Sequence, residues 1–303
     1  MVYNKRMSQL SWYNPTQIHF GSGKLAMLGS LIEEQVGKNS KVFLVTGTTF
    51  LKRHGILERI FQDCSTTEFH LFDKVLPYPS PKLVDQAITD CRYSKADIVV
   101  AIGGGSALDL AKVVATLAPQ EGLTMDYLNG VRVMSSESLP FIAIPTTSGS
   151  GSEATTVAVL DIPDLKLKTG ISHRFLRPSL ALVDPELSKS IPSGVAASAG
   201  FDVICHAIES FISKPYTKRE KPNSPDERPP YQGSNPISDI WSLKAIEFGG
   251  KYLSRAVSSG EDVEARGYMM LSATLAGIGF GSAGVHIPHA CAYPIAGLKH
   301  SYK

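Results

Sequence analysis

Cysteine is scarce: there are four in 303 residues, Cys64, Cys91, Cys205 and Cys291, and none stands in C-x-x-C spacing. That argues against a disulfide framework or a zinc knuckle, and it suits a reducing compartment. Surplus charge of one sign is missing too, since 30 basic residues offset 28 acidic ones to a net +2. The only basic concentration is the mixed run Lys218 to Lys221, so no nucleic-acid partner is expected. No apolar run reaches the length of a membrane span, and the N-terminus has no hydrophobic secretory segment, so no membrane partner is expected either. Residues 1–32 carry no acidic side chain, a weak likeness to a transit peptide. Within them, however, IHFGSGKLAMLGSLI reads as strand, turn and helix. The expected location is therefore the cytoplasm, with the mitochondrion as the alternative. What is present, 43% hydrophobic and 19% charged residues, is ordinary for a chain that buries a core, and the length allows one large or two ordinary domains.

The first half alternates two periods. KVFLVTG, Lys41 to Gly47, is a continuous apolar run ended by glycine, as in a parallel strand buried on both faces. A helix is predicted from Phe50 to Gln62 and a strand from Phe69 to Val75. Ser80-Pro81 then opens a helix with Leu83, Val84, Ala87 and Ile88 on one side, followed by the strand in ADIVVAIGGGS. This β-α-β-α-β order predicts a doubly wound parallel sheet, whose ligands collect at the carboxyl ends of its strands.

Two turns there are candidate nucleotide sites. In IVVAIGGGSALDLAK the candidates are Gly103, Gly104, Gly105, Ser106 and Asp109, where glycines admit a phosphate and a helix N-terminus attracts it. A tight turn needing glycine only for its dihedral angles explains the same residues, and the motif is not G-x-G-x-x-G. FIAIPTTSGSGSEAT repeats the plan, with Thr146, Thr147 and Ser148 as donors to phosphate or ribose, or as caps. Two such turns in one sheet favour a nucleotide.

In GFDVICHAIES, Asp202 and His206 stand at i and i+4, so both lie on one face of a helix whose apolar stripe includes Phe201, Ile204 and Ile208. A surface hydrogen bond between them is one reading and a shared divalent cation the other. GVHIPHACAYP supplies His286 and His289 as further ligands.

GGGSALDLAK, PTTSGSGSEAT, LKTG, LVDPEL, GFDVICHAIES and GVHIPHACAYP together, in this order from about Ile18 to Tyr293, resemble the iron-dependent alcohol dehydrogenases. The resemblance implies an α/β dinucleotide-binding domain, placed at residues 1–187, and an all-α metal-binding domain at 188–303, incomplete here. It implies NAD or NADP and a divalent metal, Fe²⁺ or Zn²⁺, in the cleft, a small-molecule substrate, and a homo-oligomer, expected to be a dimer. Gly104, Gly105 and Ser106 would hold the pyrophosphate, Thr146, Thr147 and Lys168 would contact the cofactor, and Leu182 would lie near it. Asp202, His206 and His289 match metal-ligand positions. Tyr293, four residues after His289, would assist proton exchange or pack in the cleft.

After Pro192 the chain reads as helices: the Asp202 helix, another near Ser238 to Val257, and ARGYMMLSATLAGIGFG, apolar on all sides. Between the first two lies the proline-rich, polar stretch KPYTKREKPNSPDERPPYQGSNPISD, expected to be an irregular loop. This loop and GVHIPHA look most like the hydroxyacid–oxoacid transhydrogenase branch, which passes hydride from 4-hydroxybutyrate to 2-oxoglutarate through bound NAD. Lys218 and Arg219 would attract a dicarboxylate or simply form a solvated charge run. Two departures from the family stand out. Gly47 occupies a position where many NAD-preferring members carry aspartate, which removes repulsion against an NADP 2′-phosphate. The chain also reaches Lys303 without the last histidine ligand and closing helices of family members. An ordinary NADP-linked alcohol dehydrogenase, a glycerol-dehydrogenase or dehydroquinate-synthase relative, and an inactive nucleotide-binding fragment are the alternatives.

Overall fold

The computed structural model describes residues 14–135, 138–220, 223–224 and 228–297. In chain order the α/β half comprises β1 (Gln17–Phe20), α1 (Leu28–Val36), β2 (Lys41–Gly47), α2 (Phe50–Arg53), α3 (Ile56–Asp63), β3 (Glu68–Val75), α4 (Pro81–Ser94), β4 (Ile98–Gly103), α5 (Gly105–Leu117), α6 (Thr124–Leu128), β5 (Phe141–Pro145), β6 (Val157–Ile162), β7 (Leu167–Ser172) and β8 (Leu180–Val183). The helical half follows as α7 (Ser193–Ile212), α8 (Pro236–Ser258), α9 (Val263–Ala283) and α10 (Ile287–Gly297). Six strands form one parallel sheet in the order β1-β8-β5-β4-β2-β3.

Alternation along each strand divides the core into two layers. Phe43, Val45, Val99, Ala101 and Ala143 face one way, onto α4 and α5; Val42, Leu44, Val100, Ile102, Ile142 and Ile144 face the other, onto α1 and α3. Every residue of α5 from Ala107 to Leu117 is buried. The chain steps outward from β2 to β3, then re-enters on the other side of β2 as β4. This reversal leaves a crevice at the carboxyl ends of β2 and β4, where Gly47 and Gly103 stand.

One expected element needs correction. The helix expected over Phe50–Gln62 is two helices, because Gly55 adopts φ 65° between them, a left-handed conformation that interrupts the helical path. The segment holding LKTG is half of a separate antiparallel hairpin, β6 and β7, with Asp161 opposite Lys168. Ser80 caps α4 as its motif predicts, accepting the Leu83 N–H, and Asn235 caps α8 by accepting from Ile237 and Ser238.

In the helical half α9 is buried on all sides, as its uniform apolarity predicts, between α7, α8 and the turn after β5. Among the described residues of the polar stretch after α7 there is a short 3₁₀ turn, Tyr216–Lys218, so it is not wholly irregular. The expectation about apolar runs is also corrected. α7 is 20 residues long, with an 18-residue window of mean hydropathy 1.4, which suffices by length and composition to cross a membrane. A core helix of a globular protein meets the same criterion, and α7 carries Asp202, His206 and Glu209.

Candidate metal centre and nucleotide crevice

β4 and β5 are neighbours, so the two glycine- and hydroxyl-rich turns that follow them lie side by side. Thr146 donates its N–H to the Gly103 carbonyl at 2.9 Å. The turns touch closely: a Cβ on Gly105 would lie 2.8 Å from Ser150 Oγ, and one on Gly104 would lie 3.4 Å from the Thr147 side chain. Space disfavours a side chain at Gly105 in particular, because the backbone of one turn passes beside the Ser150 side chain of the other. α5 begins at Gly105 and presents its N-terminal N–H groups beside these turns. Ser106 Oγ accepts the Tyr78 N–H at 3.0 Å, which ties in the loop after β3. Gly47 is open, with only the Val75 carbonyl 3.9 Å from where its Cβ would be.

Asp202, His206 and His289 offer ligand atoms that all lie within 4.8 Å of one another. The first two share a face of α7, with His206 Nδ1 3.6 Å from Asp202 Oδ1. His289, in the first turn of α10, places Nε2 3.3 Å from the same oxygen. The two imidazoles lie 4.2 Å apart at their centroids, and Phe280 of α9 stacks on His206 at 4.1 Å and 10°. Burial pushes His206 down to about 4, outweighing the attraction of Asp202, so its ring is neutral near pH 7. Among the described residues its buried Nδ1 has no hydrogen-bond partner. Such an orphaned donor-or-acceptor costs free energy unless something coordinates it.

The sequence reading missed Glu209, one turn beyond His206 and almost wholly buried. Its Oε1 lies 2.7 Å from His289 Nδ1, while Oε2 accepts the backbone N–H groups of His286 at 2.6 Å and His289 at 3.4 Å. With its Nδ1–H donated to Glu209, His289 would have Nε2 available to a cation shared with Asp202, the arrangement metal-binding histidines use. Burial works against the charged His289 ring, but Asp202 and Glu209 together outweigh it and hold the ring above its ordinary value. An HAIE spacing of His and Glu at i and i+3 was the available signal. The donor set of two imidazoles and one carboxylate, with a fixed tautomer and an unpartnered buried nitrogen, fits Fe²⁺ or Zn²⁺.

The remaining candidates fall in different places. Thr146 and Ser148 are buried within their turn and Thr147 is half-buried. Lys168 is 2% exposed, with Nζ 3.0 Å from the centroid of the Tyr78 ring beside the crevice, and burial pulls its ammonium below the lysine range. Leu182 is fully buried in the layer facing α1, so its side chain belongs to the core. Both Asp109 oxygens are used internally, by Ser152 Oγ at 2.6 Å and the Val159 N–H at 2.9 Å. Tyr293 is half-buried on α10, its phenol pushed up by burial and then by the carboxylates of Asp109 and Asp202. His286 contributes its backbone N–H to Glu209 and is absent from the ligand cluster. The candidate metal cluster lies close to the two glycine- and hydroxyl-rich turns, because a Cβ on Gly149 would sit 3.1 Å from that of Ala199, three residues before Asp202.

Comparison with known proteins agrees with this geometry. Residues 15–185 match the model of the iron-containing alcohol dehydrogenases, and residues 231–301 match the C-terminal model of the same family. A mouse protein named hydroxyacid-oxoacid transhydrogenase, mitochondrial, is 40% identical over 296 residues, covering 95% of this chain and 63% of its own length. Its human counterpart is 44% identical over 242 residues, covering 78% and 52%. The chain thus spans about half to two thirds of the length of these relatives. Among solved structures, an archaeal halo-thermophilic alcohol dehydrogenase from a Red Sea brine pool superposes with a TM-score of 0.85 at 29% identity, covering 97% of this chain and 71% of that one. A sulfoacetaldehyde reductase from Bifidobacterium kashiwanohense, solved with NAD⁺, gives 0.83 at 31% identity, covering 95% and 71%. With matched segments that span both the parallel sheet and the helices bearing His289, the chain belongs to the iron-containing alcohol dehydrogenase family.

Proposed function

We propose that the protein is a metal-dependent oxidoreductase that transfers hydride between NAD(P) and a hydroxyacid–oxoacid pair, as the names of its transhydrogenase relatives suggest. The observation that carries this reading is the Asp202–His206–His289 cluster, one helical turn from the contact between Gly149 and α7. Residues 1–187 would form the nucleotide-binding part and 188–303 the metal-binding part. Asp202, His206 and His289 would hold Fe²⁺ or Zn²⁺, a Lewis acid that lowers the pKa of a bound alcohol. Gly103, Gly104, Gly105 and Ser106 would receive a pyrophosphate, with Thr146, Thr147, Ser148 and Lys168 along the rest of an NAD(P) molecule that carries the hydride. Glu209 fixes His289 in one tautomer. Tyr293, its phenol kept protonated by burial and nearby carboxylates, would exchange a proton in the cleft or pack there. The relatives' names support a mitochondrial location over the cytoplasmic one expected from sequence.

One observation favours a second reading, an ordinary NADP-linked dehydrogenase: the space at Gly47 leaves room for a 2′-phosphate. An assay of the protein with 4-hydroxybutyrate plus 2-oxoglutarate, and separately with simple alcohols plus free NAD or NADP, distinguishes the two. Transhydrogenation without added cofactor is the expected result. Turnover only with free cofactor would establish the dehydrogenase instead, and Gly47→Asp should then weaken NADP binding more than NAD binding.

A further inference from the structure

The turn running from Thr146 to Ser152 is fastened at its start by the sheet, through the Thr146 N–H and the Gly103 carbonyl. Its far end is held by other elements. From α5, Asp109 accepts from Ser152 Oγ at 2.6 Å, and Lys112 donates to Thr155 Oγ1 at 2.8 Å and to the Val157 carbonyl at 2.7 Å. From α9, in the helical half, Thr274 Oγ1 donates to Glu153 Oε1 at 2.7 Å. Glu153 is 2% exposed and Thr274 1%. Backbone contact reinforces this bond. Gly151 adopts φ 59°, a Cβ on it would lie 2.5 Å from the Ala273 carbonyl, and one on Gly277 would lie 2.5 Å from the Gly151 carbonyl. The last third of the turn therefore rests on α9.

A carboxylate buried to this degree is costly, and the Thr274 hydroxyl and the positive charge of the buried Lys112 favour it. Glu153 lies one residue beyond the turn, and its side-chain hydrogen bond to Thr274 crosses to the helical half. We propose that Glu153, through Thr274 on α9, is a positioning residue for the nucleotide turn, so that the helical half completes a binding site otherwise built by the sheet. This rests on the reading of Thr146–Ser152 as part of the nucleotide site.

The test is titration of the protein with NADH and with NADPH, read by fluorescence or calorimetry, in wild type, Thr274→Val and Thr274→Ser. Thr274→Val removes the hydroxyl at constant shape and should raise the dissociation constant about tenfold, while Thr274→Ser stays within about twofold of wild type. Metal content by elemental analysis should match wild type in both variants. The double variant Glu153→Leu/Thr274→Val replaces both partners with apolar groups of similar shape and leaves Lys112 beside Asp109, and it too should bind about tenfold more weakly. Nucleotide affinity equal to wild type in a folded Thr274→Val or in the double variant, with at most a lower melting temperature, overturns the positioning role and leaves the nucleotide site standing. Wild type that binds neither nucleotide overturns both.

Discussion

His206 shows how one buried side chain sets its own chemistry. Burial lowers its pKa to about 4 from an ordinary value near 6.5, so between these pH values the unfolded chain takes up a proton that the folded protein refuses. Its contribution to stability is therefore lost as pH falls from 6.5 to 4, by about 3 kcal/mol over the whole window. His289 is shifted upward and acts in the opposite sense, stabilising at low pH and losing that contribution as pH rises through its folded-state value. Melting temperatures of the chelator-treated protein should accordingly drop more steeply below pH 6.5 in wild type than in His206→Gln. Parallel curves for the two would mean that the His206 ring is protonated in the fold. The pairing of Asp202 with His206 was legible in the sequence from their four-residue spacing. The partnership of Glu209 with His289 was not, because 80 residues separate them and only the docking of α10 beside α7 brings them together.

At the level of elements, the strand-to-helix turn from β4 into α5 is shaped by its neighbour. Gly105 is helical and needs no unusual dihedral angle, so its requirement for glycine comes from Ser150, whose Oγ would lie 2.8 Å from an added Cβ. Gly105→Val should push the two turns apart and abolish NAD(P) binding while leaving the sheet, which ends at Gly103, intact. Calorimetric affinity unchanged from wild type, with a native far-ultraviolet spectrum, would show that the nucleotide does not approach this backbone. Strands, helices and the GGGS turn were readable from apolar period and glycine placement. The β6–β7 hairpin was not, since LKLKTGIS alternates only weakly and its pairing with residues 157–162 is a tertiary event.

Across the whole molecule, the two halves differ in how completely they cover apolar surface. The sheet is enclosed on both faces, whereas α7 exposes Phe201, Ile208 and Ile212 along one stripe, spaced seven and four residues apart, and α8 exposes Ile240 and Leu243. Phe201 is 62% exposed and Ile240 63%, an unusual amount of large apolar side chain to leave in water. The 303-residue chain on its own should therefore self-associate. Phe201→Lys combined with Ile212→Lys should shift sedimentation velocity profiles toward the monomer without altering helix content. A wild-type chain that is monomeric at tens of micromolar would show that this face is tolerated in water.

The sequence alone determined the class of fold and the kind of candidate site, because both depend on local pattern. Continuous apolar runs alternating with amphipathic helices force a parallel sheet, and histidine and aspartate at helical spacing put two candidate ligands on one face. Tertiary structure decided which of the candidate residues come together. It turned Asp109 and Leu182 inward, where the carboxylate holds Ser152 and the leucine fills the core. It also brought Glu209 to His289, and set α9 beneath the turn at Gly151. Those outcomes depend on contacts between segments tens to more than a hundred residues apart, and no local period encodes the distance between such segments in space.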